Sequence, residues 1–94
     1  MVSIISERIR VANIINQFLS NKISIDEAIL EMPDLEKTRD PSIDSVDHLL
    51  HHIKLEKKSK SSYVKKLKID LDIIKNYLFK GKEIPEKFLY KPFY

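Results

Sequence analysis

All three histidines of this 94-residue chain fall within five residues, as His48, His51 and His52. His48 and His52 are four apart, the spacing at which two imidazoles on one helix face can reach a single metal ion, and Asp44 stands one turn before His48. A zinc site needs a third or fourth ligand, and the chain has neither Cys nor a His-Glu-x-x-His motif. The expected reading is a set of surface imidazoles with no metal and no cofactor. Asp44, His48 and His52 are the residues a metal-responsive protein would use, and that function is kept as an alternative.

The second concentration of chemistry is basic. Residues 54–68 hold seven Lys against one acid, Glu56. Lysine neutralises phosphates without reading bases, so Lys54–Lys68 is the segment an accessory nucleic-acid-binding protein would use. Sequence-specific readers favour Arg, which forks onto guanine, and the only arginines are Arg8, Arg10 and Arg39. Tyr63 is the one aromatic among these lysines, too little for a base-stacking platform. Within the segment Lys57, Lys58, Lys65 and Lys66 are the candidate contacts for a partner.

Two charges sit where helical periodicity asks for apolar residues. Arg8 falls between Ile4, Ile5 and Ile15 on a helical wheel, and Asp70 falls between Tyr63 and Tyr77. Charges are rarely buried unless paired, so Arg8 either snorkels from a frayed first turn or pairs with Asp70 across the molecule. The C-terminus adds Phe88, Leu89, Tyr90, Phe93 and Tyr94, four of the eight aromatic residues in seven positions. Phe88 and Leu89 are expected to dock on a second apolar line of the last helix, Ile69, Ile73 and Phe79. The sharper alternative makes Phe88, Tyr90 and Phe93 anchors for a partner. A homodimer seam is the third option.

Nothing supports catalysis. One Gly cannot build a phosphate-cradling loop, and no nucleophile elbow is present. No apolar run approaches the roughly 20 residues of a membrane span, so a soluble, cytoplasmic, non-membrane protein is expected. The net charge of +3 hides a division: residues 1–50 carry five basic and nine acidic side chains, residues 51–94 twelve and five. Such asymmetry points to an anionic partner or to an acidic half packed beside a basic one.

These residues need elements to position them, and every long apolar pattern has the period of a helix. Hydrophobic residues make up 43% of the chain, enough for one core, while a single Gly and four Pro argue against a turn-rich sandwich or barrel. A first helix is expected over about 3–19. A second is marked by Ser24 as N-cap with Glu27 three residues on, and by an Ile23–Ala28 staple; Pro33 stops it. A third should start near Ser42 or Asp44 and run to about 57, with Ile43, Val46, Leu50 and Ile53 inward. A fourth should span about 63–80, with Tyr63, Val64, Leu67, Leu71, Ile74, Tyr77 and Leu78 inward and Gly81 ending it.

The sequence therefore predicts an all-α protein: a small four-helix antiparallel bundle with a short aromatic C-terminal tail. It should form one helical domain over 1–94, with its core in 3–80 and its tail in 82–94. In size, charge mixture and layout the chain resembles small bacterial or phage interaction proteins, including immunity proteins and toxin or defence inhibitors. That architectural likeness implies a non-catalytic protein-binding module of the inhibitor, immunity or adaptor type, acting on another protein as a monomer or homodimer.

Overall fold

A computed structural model describes residues 4–33, 40–56 and 62–88. Four helices follow in order: α1 (Ile4–Leu19), α2 (Ile25–Glu31), α3 (Pro41–Leu55) and α4 (Ser62–Phe79), with a 3₁₀ turn at Glu86–Phe88. No strand occurs among the described residues. The helices alternate in direction. Ile5 at the start of α1 lies over Gly81 just past α4, while Phe18 near the end of α1 carries Lys68 from the start of α4 over its ring. Arg8 meets Asp40 at the head of α3, so α1 and α3 point the same way and α4 runs back between them. This is an antiparallel four-helix bundle in which α1 and α4 form the most extensive pair and α2 packs on α3.

One core joins all four helices. Val11, Ala12, Ile15, Ala28, Ile43, Val46, Leu50, Leu71, Ile74 and Leu78 are fully buried within it. Ala12 is two turns beyond Ile5 on the same line of α1, and its small side chain lets the helices approach closely. The expected stripe of α4 needs trimming, because Tyr63 and Tyr77 are exposed. They sit at the stripe's edge, roughly 60–100° from its centre, where an amphipathic ring turns outward.

The helix ends follow local chemistry. The Ser24 hydroxyl accepts the Glu27 amide, and the Glu27 carboxylate accepts the Ser24 amide, completing the capping box. Gly81 (φ 72°) ends α4 as the left-handed residue of a Schellman motif: its amide bonds the Leu78 carbonyl and the Lys82 amide bonds that of Tyr77. Asn21 (φ 62°) does the same for α1, with Asn21 to Phe18 and Lys22 to Gln17. The start of α3 departs from expectation. Asp40 takes the N-cap position and Pro41 opens the helix, since proline lacks the amide that a first turn leaves unbonded. Ser42 is therefore inside the helix, and its hydroxyl accepts the amide of Ile84.

Candidate functional site

Helix α4 is apolar on two sides. Val64, Leu67, Leu71, Ile74 and Leu78 face the core, and Ile69, Ile73 and Tyr77 recur every four residues on the outer surface. Ile69 is 62% exposed, Ile73 38% and Tyr77 37%. Phe79 does not extend this line: it comes six residues after Ile73, about 120° around the helix. Tyr77 belongs there instead, a residue sequence reasoning assigned to the core although its i+4 spacing from Ile73 was visible.

Cations surround the line. Lys65 and Lys66 precede Ile69 by one turn, Lys80 follows Tyr77 by three residues, and all three are exposed. The adjoining acids are Asp70, half-buried, and Asp72, whose carboxylate takes a 2.8 Å ion pair from Lys75. The outer face of α4 is a basic and apolar surface.

The four described lysines of residues 54–68 do not share one face. Lys54 pairs with Asp26 of α2 at 2.9 Å, and the Lys68 ammonium stands 5.6 Å from the centre of the Phe18 ring. Lys65 and Lys66 are turned outward, and Lys57 and Lys58 lie outside the described residues. Helical rotation of 100° per residue separates what adjacency in sequence suggested was a single patch.

The histidines are likewise divided. His48 Nε2 is 3.8 Å from Asp44, His51 Nδ1 donates to the Asp47 carbonyl at 2.9 Å, and His52 Nδ1 is 3.4 Å from the Tyr63 hydroxyl on α4. Among the described residues no group of three or more His, Asp or Glu side chains is placed to share a metal ion.

At the opposite end of α4 lies a polar cluster that corrects the expected pairing of Arg8. Its partner is Asp40, not Asp70: Nε donates to one carboxylate oxygen at 2.9 Å and a terminal nitrogen to the other at 3.0 Å. The remaining terminal nitrogen donates to the Gly81 carbonyl at 3.0 Å, and Glu83 approaches to 3.7 Å. The Arg8 side chain is 11% exposed and that of Asp40 3%, so Arg8 is not snorkelling from a frayed turn. Asp70 is out of reach because it precedes Gly81 by eleven residues, about 16 Å along the helix. The wheel gave the correct direction for Arg8 but not its level. The hydrogen bond to Asp40 raises the Arg8 pKa, the charges of Asp40 and Glu83 add to this, and burial opposes it.

The same cluster settles how the C-terminal segment docks. Ile84 is buried, its amide bonds the Ser42 hydroxyl at 3.1 Å, and half-buried Phe88 packs on the core. Among the described residues the anchor is Ile84 with Phe88, and it leaves Ile69, Ile73 and Phe79, the expected docking line, exposed. Leu89, Tyr90, Phe93 and Tyr94 lie outside the described residues.

The described surface also carries depressions. A groove of about 470 Å³ between α1 and α2 is lined by Ile9, Arg10, Asn13, Gln17 and Glu31. A smaller one of about 240 Å³ is lined by Phe18, Ile25, Ile53 and Val64, with Lys54 and Lys68 beside it. No helix among the described residues is long and apolar enough to cross a membrane. Compared with protein families, with curated proteins and with solved structures, the chain matches none of them.

Proposed function

We propose that this chain is a non-catalytic protein-binding module of the inhibitor, immunity or adaptor type, engaging another protein in the cytoplasm through the outer face of α4. The observation that carries the reading is the exposed line Ile69–Ile73–Tyr77 on a helix whose opposite side already fills the core. Leaving such side chains in water forgoes about 25 cal/mol for each Å² that a partner could cover, and contiguous apolar surface of this kind marks interaction sites. Of the candidate contacts named from sequence, Lys65 and Lys66 flank this line. Phe88 is turned toward the core and leaves the reading.

The test is photocrosslinking in an extract of the source cell, with a benzophenone amino acid at position 73 or, as a control, at exposed Asn13 on α1. A discrete protein adduct formed from position 73 and absent from position 13 is expected. Identical adducts from both positions, or none from position 73, would overturn the reading.

A further inference from the structure

We infer that the partner element fitting the outer face of α4 is an acidic amphipathic helix of another protein, laid along Ile69, Ile73 and Tyr77 with its carboxylates against Lys65, Lys66 and Lys80; this rests on the protein-binding reading above. The apolar residues recur at i, i+4 and i+8, so they form a ridge along one helix, the geometry into whose flanking grooves another helix packs. The charge selects the kind of helix. Ser62–Phe79 carries four Lys and two Asp, Lys80 and Lys82 follow, and Asp72 is already held by Lys75.

Two other occupants fit less well. A second copy placing its own α4 here would bring Lys66 of one chain toward Lys80 of the other, like charges at close range. The acidic α2 of a second copy offers one strongly exposed apolar residue, Leu30, on a seven-residue helix. Its Asp26 is already paired with Lys54, and the Glu27 side chain is held in the capping box. The chain's own residues 89–94 carry one Lys and no acid, so they do not complement the cations.

The experiment measures fluorescence anisotropy with the full chain and a fluorescein-labelled model peptide of about 18 residues. The peptide is a helix with a leucine stripe flanked by Glu, and its control has the same stripe flanked by Lys. The Glu peptide is expected to bind at least tenfold more tightly than the Lys peptide and to weaken severalfold as salt screens the contact. Lys66→Glu and Ile73→Glu should each reduce binding tenfold or more. Both positions are outside the core, so circular dichroism melting should be unchanged, and Ile73→Ser serves if Ile73→Glu alters it.

Equal binding of the two peptides, or no binding at millimolar peptide, would overturn the inference. So would displacement by a duplex DNA of about 20 base pairs, which would assign the lysines to phosphate. Self-association seen by sedimentation and abolished by Ile73→Glu would assign the face to a second copy. A partner crosslinked at position 73 that presents no acidic helix would overturn this inference while leaving the protein-binding reading intact.

Discussion

Replacing Asp40 by Ala removes the carboxylate that holds both Nε and a terminal nitrogen of Arg8, and leaves an Arg8 side chain only 11% exposed to find other partners. Breaking a buried pair from one side costs about 3–5 kcal/mol, because the remaining charge stays desolvated. Arg8 keeps the Gly81 carbonyl, and Glu83, 78% exposed, can swing closer, so the expected loss is about 3 kcal/mol, the low end. A chain of this length is stable by about 5–15 kcal/mol, and a loss of this size lowers Tm by about 12–24 °C. Arg8→Met should cost less, about 2 kcal/mol, because Asp40 stands at the N-cap of α3 without a side-chain capping bond. Freed from Arg8, it can turn to the first-turn amides of that helix. The double variant should be more stable than the sum of the single losses predicts, by about 2 kcal/mol. Urea unfolding followed by far-ultraviolet circular dichroism measures all four proteins, with equal m-values required for the comparison. Additivity within about 0.5 kcal/mol would mean that the two side chains do not act on each other, and would overturn the pairing energy assigned to them.

The raised Arg8 pKa sets a pH expectation. A group whose folded pKa lies above its unfolded value stabilises fully below the unfolded value and loses this only as pH rises through the folded one. The stability difference between the wild type and Arg8→Met should thus stay constant from neutral pH to about pH 10, and a decline in that window would contradict the assignment. Truncation after Lys82 removes Ile84, its bond to Ser42 and Phe88, and should lower stability by about 2–4 kcal/mol in a thermal melt; unchanged Tm would refute docking of this segment. Gly81→Ala should cost about 1–2 kcal/mol through its left-handed backbone, and an added Cβ would also meet Ile5 at 2.8 Å. An Ile5→Ala background should recover part of that loss by urea titration, because it removes the stiff β-branched Cγ2 that the new Cβ meets while the φ strain stays. Ser24→Ala should cost about 1 kcal/mol by the same measurement, and no loss would remove the capping box from the account.

Much of this fold was legible because its signals are local. The period of 3.6 residues, the Ser24–Glu27 box and Gly81 each act within a few residues of chain, and each is found where the spacing placed it. The Asp40-Pro41 start of α3 was local as well, but its cap uses no side-chain bond: the Asp40 carboxylate is turned to a residue 32 positions away. The candidate site divides in the same way. Ile69, Ile73, Lys65 and Lys66 stood out from spacing and charge, whereas Tyr77 was assigned to the core because a wheel gives direction without saying how far a neighbouring helix reaches.

Residue spacing alone specifies four amphipathic helices, most of their inward faces and an unmatched apolar line on the last one. Only the packing of the helices brings Arg8 to Asp40 and Gly81, the Ile84 amide to Ser42, Lys54 to Asp26 and Lys68 to the Phe18 ring. The reason is geometric. Helix periodicity specifies the angle at which a side chain leaves its axis, but partners also depend on the axial level and direction of the helix alongside. In this bundle those are set by core packing and by a partly buried polar cluster that joins residues up to 73 positions apart.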